Sequence, residues 1–341
     1  MYFIGVDAHL ARLVVCVMNE EREVVAKARI SPGEKEALSK LTRRYRPAKI
    51  ALEASGCVTW LIDFLQEKVE EVVLAHPSKL RVISQTVKKT DKVDARVLAE
   101  LLSMDYVPRA YIATEQERSD RTLVRTVNYL QKAQRRAKQR IRFALNRNNW
   151  SPPIPDVFSK KGRQWLVKQP WKGGERLEIQ SALAMLDTIS EQRKRLDKMI
   201  ARRMKNQAEA RRLRTIPGFG PLTIVALLSM LGDWKRFSSS SEVAAFFGLV
   251  PRVNQSSQRC HLGHITRQGD PFVRGLLVEA SWQAIRKSKR LRQVFDRIAK
   301  RRGRKIAIVA IARRLLLIAM ALLREQTVFG KAHETVRRIA A

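Results

Sequence analysis

Tyr2-Phe3-Ile4-Gly5-Val6, Arg12-Leu13-Val14-Val15-Cys16-Val17-Met18 and Glu23-Val24-Val25-Ala26-Lys27-Ala28-Arg29-Ile30 are three apolar or alternating runs, parted by short polar breaks such as Asn19-Glu20-Glu21. Runs of this length with β-branched residues and period-two alternation predict a three-strand meander. A helical stretch opening at Ser31-Pro32 follows, then a strand over Lys49 to Leu52, a helix from about Val58 to Lys68 and a strand over Glu71 to Leu74. A meander followed by alternating helix and strand is the element order of an RNase H-like sheet. The expected fold class is therefore α/β at the N-terminus, joined to an all-α remainder.

That remainder begins with a long basic helix. Leu123, Val127, Leu130, Ala137, Ile141 and Ala144 follow a heptad, and Lys132, Arg135, Arg136, Lys138, Arg140 and Arg142 fill the other faces. Ser151-Pro152-Pro153-Ile154-Pro155 ends it, and a linker with Gly162, Gly173 and Gly174 follows. A second long helix is expected from about Glu175 to Arg212, with Leu183, Leu186, Ile189, Leu196, Ile200 and Met204 on one side. The two helices pair antiparallel within the chain or mediate dimerisation; the sequence does not choose. These signals divide the chain into residues 1–112, a coiled-coil region 113–212 and a helical region 213–341.

The 341 residues carry 67 Lys and Arg against 32 Asp and Glu, a net charge of +35 at pH 7. The surplus runs from Arg22 to Arg338, so the expected partner is a polyanion. A membrane-surface protein would concentrate its charge on a short amphipathic helix, which leaves nucleic acid as the first choice and a ribosomal-type structural protein as the plain alternative. Cys16, Cys57 and Cys260 offer neither a disulfide framework nor zinc-ligand spacing, which fits a reducing cytoplasm, and no signal peptide is read at the N-terminus. The longest apolar stretch, Ile306 to Leu323, carries Arg313 and Arg314 at its centre and reads as a buried core helix, not a membrane span.

Several residues are candidates for chemistry. Asp7 ends the first strand and Glu53 follows the Ile50-Ala51-Leu52 strand, so two strands each deliver a carboxylate at the sheet edge where ligands bind in open α/β sheets. Alone, Asp7 reads equally well as a surface acid. Asp91 and Asp94 stand three apart at a helix start capped by Thr90 or Asp91, which puts both carboxylates on one face. Alone, they read equally as acids complementing a helix dipole. Clustered together, such acids repel by roughly 4 kcal/mol per pair at 4 Å and an effective dielectric near 20, a repulsion that divalent cations remove. Two ions held by shared carboxylates stabilise the entering and leaving oxygens of phosphoryl transfer, and carboxylate and water ligands favour Mg²⁺. Lys88, Lys89, Lys92 and Arg96 surround these acids, suited to guiding a phosphate backbone or simply to solvation.

Thr215-Ile216-Pro217-Gly218-Phe219-Gly220-Pro221 predicts a helix-hairpin-helix-like turn in which Gly218 and Gly220 present backbone N–H groups to a phosphate, or an ordinary tight turn. The stretch from Gly248 to Asp270 is polar and glycine-punctuated, and reads as a functional loop. It contains Arg252, Arg259, His261, His264 and Arg267 as phosphate donors, and Ser256 and Ser257 as hydroxyls that need activation before they attack a phosphodiester. Taken singly, the serines and histidines read as ordinary loop residues.

Gly5-Val6-Asp7, Leu52-Glu53-Ala54-Ser55-Gly56, Lys89-Thr90-Asp91-Lys92-Val93-Asp94-Ala95, Ile216-Pro217-Gly218-Phe219-Gly220, Phe247-Gly248-Leu249-Val250-Pro251-Arg252 and Leu262-Gly263-His264-Ile265-Thr266-Arg267-Gln268-Gly269-Asp270 together resemble the DEDD-type insertion-sequence transposases, the IS-one-ten group that includes the Piv-type DNA invertases. The resemblance runs end to end. It implies a RuvC-like catalytic domain with Asp7, Glu53, Asp91 and Asp94 as the metal-binding acids, Mg²⁺ as cofactor with Mn²⁺ as substitute, and a serine nucleophile from a C-terminal transposase domain. It further implies a structured guide RNA, donor and target DNA held by a homodimer or homotetramer, and a bacterial or archaeal cytoplasm. The family loop usually has serine followed by glycine after proline, whereas this chain reads Gln255-Ser256-Ser257-Gln258. Counting back from Leu262-Gly263 favours Ser256, with Ser257 in reserve. The alternatives are a Mg²⁺-dependent Holliday-junction nuclease that uses water and a non-catalytic nucleic-acid scaffold.

Overall fold

The structure, a computed structural model, describes residues 1–56, 58–83, 91–205, 207–256 and 259–330, with the backbone alone for 81–83, 91–93, 254–256 and 259–262. The chain forms two compact units, Met1–Ile112 and Ala113–Ala341.

In the first unit the meander is β1 (Tyr2–Ala8), β2 (Leu13–Met18) and β3 (Val24–Ile30). After α1 (Lys35–Arg44) come β4 (Ala48–Glu53), α2 (Thr59–Leu65), β5 (Glu71–Ala75), α3 (Pro77–Ile83) and α4 (Asp91–Ser103). The sheet order is β3-β2-β1-β4-β5, with β1, β2 and β3 antiparallel and β4 and β5 parallel to β1. An α/β N-terminal unit is what the element order predicted. β1 and β4 lie inside the sheet and are buried on both faces, which explains their nearly continuous apolar runs.

The alternation along β1 assigns its side chains to two different cores. Ile4 and Val6 join Ile50 and Leu52 beneath Leu38 of α1 and Leu61, Ile62 and Leu65 of α2. Phe3 and Ala51 face Leu98, Leu101 and Leu102 of α4, and Val14 and Cys16 face Ala95. Each fully buried leucine of α4 contributes about 1.5–3 kcal/mol. Gly5 makes this approach possible: a Cβ there would stand 2.0 Å from the Ala95 carbonyl oxygen and 2.6 Å from the Ala99 nitrogen. α4 therefore crosses β1 at Gly5, and no larger residue fits beneath it.

The second unit is helical: α5 (Glu115–Arg147), α6 (Lys160–Lys168), α7 (Gly174–Lys205), α8 (Ala208–Leu213), α9 (Pro221–Leu231), α10 (Ser240–Phe246), α11 (Pro271–Lys287), α12 (Lys289–Arg302) and α13 (Arg304–Arg324), with a hairpin of β6 (Pro251–Ser256) and β7 (Arg259–Ile265) before α11. A capping box of Thr114 and Glu117 starts α5. α5 and α7 run antiparallel within the chain, tied by Arg203 to Asp120 (2.9 Å) near one end and Arg147 to Glu178 (2.6 Å) near the other. The antiparallel pairing within the chain, one of the two arrangements open from the sequence, is thus present. Burial pushes the Asp120 carboxyl above its usual range, against the pull of Arg203.

The single helix expected over Glu175 to Arg212 is instead two, because Gln207 adopts an extended conformation (φ −116°, ψ 122°) and restarts the chain as α8. Leu123, Val124, Val127, Ile200 and Met204 from the long pair share one core with α9, α11 and α13. The opposite end packs separately around Ile141, Leu145, Leu166, Trp171 and Leu186. α13 is long and apolar enough to cross a membrane, yet 67% of its most apolar window is buried inside the protein, in keeping with the core-helix reading. Within it, Arg313 Nε and Arg314 Nη1 are buried without a hydrogen-bond partner among the described residues.

Candidate active site

Val6 pairs with Leu52 in the parallel register of β1 and β4. Asp7 and Glu53 are the next residues on the two strands, each one position beyond that last pair. Gly5 and Ala51 are paired and face α4, and the same parity directs Asp7 and Glu53 to the α4 side. Asp7 is 8% exposed and Glu53 half-buried. A carboxylate sequestered to that degree needs a compensating partner. One is His9, whose Nε2 lies 3.0 Å from Asp7 Oδ2. His9 escaped the sequence reading; the signal was its position two residues beyond Asp7, which puts it on the same side of an extended strand.

α4 brings the other acids to the same edge. Ala95 packs at Gly5, Val14 and Cys16, while Leu98, Leu101 and Leu102 lie further along, with Phe3 at the beginning of β1. The amino end of α4 thus points toward the carboxyl end of β1. Asp7 lies two residues, about 7 Å, beyond the Gly5 crossing, and Asp91 lies one helical turn, about 6 Å, before Ala95. Asp94 is half-buried in the first turn. The side chain of Asp91 lies outside the described residues. Asp7, Glu53 and Asp94 do not by themselves make a three-ligand metal group, and no other three His, Cys, Asp or Glu side chains among the described residues do. The oxygen-donor chemistry of the three acids and the buried position of Asp7 nevertheless fit a hard divalent cation. Beside this edge opens a cleft of about 450 Å³ lined by His9, Leu10, Pro32, Gly56, Thr59, Trp60 and Asp63.

Among the basic candidates of this unit, Arg96 is exposed on α4, Lys92 is on the same helix with its side chain outside the described residues, and Lys88 and Lys89 fall outside them altogether. In the second unit, the stretch read as a loop is a hairpin. Asn254 pairs with His261 and Ser256 with Arg259, so Ser256 ends β6 at the distal tip. Ser257 lies outside the described residues, as do the side chains of Ser256, Arg259 and His261. Polar residues at successive positions hid the strands, since no apolar face marks their alternation. The hairpin base is held by Thr266 N–H donating to the Val250 carbonyl (2.8 Å) and by Arg274, which donates to the carbonyls of Phe247 (3.3 Å), Gln268 and Gly269 (3.1 Å). Arg252, His264 and Arg267 are exposed along it.

Arg135, Arg136 and Arg140 are exposed on α5, and Arg140 also pairs with Glu178 at 3.3 Å. The turn between α8 and α9 has a packing reason for its first glycine. Gly218 has φ +89°, and a Cβ there would stand 2.1 Å from the Ala280 carbonyl oxygen of α11. Gly220 caps α9 without a side-chain hydrogen bond.

Comparison with known proteins gives a consistent result across both units. Residues 4–149 match a family model for DEDD transposases of the IS110 type, and residues 210–296 match one described as the transposase IS116/IS110/IS902 family. A probable family 20 transposase of Pseudomonas aeruginosa is 25% identical over 309 residues, covering 84% of this chain and 87% of that protein. The transposase for insertion sequence element IS1328 of Yersinia enterocolitica is 25% identical over 297 residues, 84% of this chain and 86% of the relative. A pilin gene-inverting protein of Moraxella lacunata is 34% identical over 125 residues, 35% of this chain and 38% of the relative. With the acid-bearing sheet edge and the C-terminal helical region each falling inside a matched segment, the chain belongs to the IS110-type family of insertion-sequence transposases, enzymes of DNA transposition and recombination.

Proposed function

We propose that this transposase cuts and rejoins DNA with a Mg²⁺-binding centre of Asp7, Glu53, Asp91 and Asp94 on an RNase H-like fold, and with Ser256 as nucleophile. The observation that carries the reading is the position of Asp7 and Glu53, each one residue beyond the paired Val6 and Leu52 at the sheet edge toward which the amino end of α4 is directed. Bound Mg²⁺ would neutralise the scissile phosphate and the oxygens that enter and leave it. The four carboxylates would hold that ion through their oxygens, and the buried position of Asp7 puts its charge in a low-dielectric setting that strengthens the attraction to a cation. Ser256 Oγ forms a bond to phosphorus and gives up its proton, while the bond to the departing strand breaks and that strand's oxygen takes a proton. The resulting ester is resolved when a strand hydroxyl attacks phosphorus and returns the serine. The clamped base of the hairpin supports a fixed carriage for Ser256.

The surplus of +35 suits a complex holding two DNAs and a structured guide RNA in a homodimer or homotetramer. The name of the Moraxella relative, a pilin gene-inverting protein, fits a reaction that cuts and rejoins DNA. Asp7→Asn and Glu53→Gln should abolish strand cleavage while nucleic-acid binding remains. Ser256→Ala should remove the protein-linked DNA band from a denaturing gel. Cleavage that survives Ser256→Ala without an adduct would assign the attack to water, and cleavage that survives the acid substitutions would overturn the centre itself.

A further inference from the structure

From Arg121 to Arg147, α5 carries nine Lys and Arg and no Asp or Glu. Its heptad face is spent on α7 and the neighbouring cores through Leu123, Val127, Ala137, Ile141 and Ala144. The opposite face looks outward, and residues seven apart on it lie within about 20° of each other. Arg125 aligns there with Lys132, and Tyr129 with Arg136 and Phe143; all five are exposed. Tyr129 is 69% and Phe143 62% exposed, an uncommon cost for two large rings on an otherwise cationic surface. They are about 21 Å apart along the helix, with Lys132 and Arg136 between them.

At the carboxyl end of this face Asn146 and Arg142 border a cleft of about 630 Å³ whose walls include Trp150, Pro152, Pro153 and Phe158. That volume lies within the usual range of small-molecule sites, about 300–1,000 Å³. Lys138 Nζ and the Arg142 guanidinium stand 4.8 Å and 5.5 Å from the Phe158 ring.

We propose that the outer face of α5, with the cleft at its end, binds an unpaired nucleic-acid strand whose bases stack on Tyr129 and Phe143. The proposal rests on the nucleic-acid reading above but needs neither the metal nor the serine. Charge complementarity selects a polyanion, and the rings select an unpaired one. Bases in a duplex are already stacked and offer no free face, whereas a single strand gains both phosphate contacts and stacking. A second copy of α5 is disfavoured, because two such faces would oppose cation to cation and the apolar heptad is already used.

The test measures binding of the full-length protein to labelled dT30, U30 and a 30-base-pair duplex at fixed salt. Tyr129→Ala with Phe143→Ala should weaken both single strands by at least about fivefold per ring, the lower end of the stacking range, and change duplex affinity less than twofold. Tyr129→Phe with Phe143→Tyr keeps both rings and should restore binding. The ratio of U30 to dT30 affinity then tells whether RNA or DNA is the preferred strand. Both rings are exposed, so the circular dichroism spectrum should not change. Equal loss for duplex and single strands would overturn the proposal. So would unchanged binding with an altered sedimentation coefficient, which would assign the face to a second copy. If the unaltered protein bound none of the three probes, the nucleic-acid reading itself would fall, a result distinct from either.

Discussion

Gly5→Ala tests how the candidate centre is built. The added methyl would lie 2.0 Å from the Ala95 oxygen, 2.6 Å from the Ala99 nitrogen and 3.0 Å from Leu98 Cβ, and two of these three are backbone atoms of α4 that cannot rotate away. Since real Cβ contacts are essentially never below 3.0 Å, α4 must retreat from β1 by about 1 Å. Overpacking of this kind costs about 1–3 kcal/mol. For a unit of roughly a hundred residues, each kcal/mol lowers the midpoint by about 4 °C or more. The same retreat carries Asp91 and Asp94 away from Asp7 and Glu53, and a displacement near 1 Å costs about 10²-fold in rate where acids must act together. The assays are thermal unfolding and divalent-dependent strand cleavage, with Gly33→Ala as control because its new Cβ would meet only Ser31 Oγ at 3.9 Å. If Gly5→Ala unfolded and cleaved like Gly33→Ala, the close crossing of α4 over β1 would be refuted.

Two further predictions concern charge. Glu71 accepts from Lys49 Nζ (3.1 Å) and from Arg109, and the Arg109 hydrogen bond above all holds its carboxyl below the ordinary value of 4.5. Its lowered folded pKa means the stabilisation is present above pH 4.5 and lost as pH falls through the folded value. Glu71→Gln should therefore cost about 0.5–1 kcal/mol at pH 7 and progressively less as pH falls below 4.5, as read by urea unfolding; a difference that grew on acidification would contradict this. Arg314 is pushed below its usual pKa by burial and then by repulsion from Arg297 and Arg290, and its Nη1 has no hydrogen-bond partner among the described residues. Arg314→Met should leave stability unchanged or raise it by about 1 kcal/mol, whereas a loss above 1 kcal/mol would point to a compensating partner.

Much of the first unit could be read from its sequence because its physics is local. β1, β2 and β3 announce themselves by apolar runs of strand length, and Glu53 and Asp7 by acids that end such runs. Their place at the ends of neighbouring parallel strands was not legible, since register depends on pairing across forty-six residues. The role of Gly5 was hidden for the same reason: a close approach is visible only when the other backbone is in place. In the second unit, the core-helix reading of α13 followed from one sustained apolar stretch, while the break before α8 lacked any Gly or Pro to announce it. The β6–β7 hairpin was read as a loop because its sequence shows no sustained apolar alternation. Gly218 drew attention as part of a phosphate-binding turn, yet the neighbour that demands a glycine there is the α11 carbonyl sixty-two residues away.

The central claim is that Asp7, Glu53, Asp91 and Asp94 converge on divalent ions. Crystals of the protein grown with Mn²⁺ and measured at the manganese absorption edge address it without relying on activity. The account predicts anomalous peaks within about 2.0–2.3 Å of carboxylate oxygens of Asp7 and Glu53, with Asp91 or Asp94 completing the shell, and their disappearance in Asp7→Asn. Peaks that avoid this sheet edge, or that persist unchanged in the variant, would contradict it.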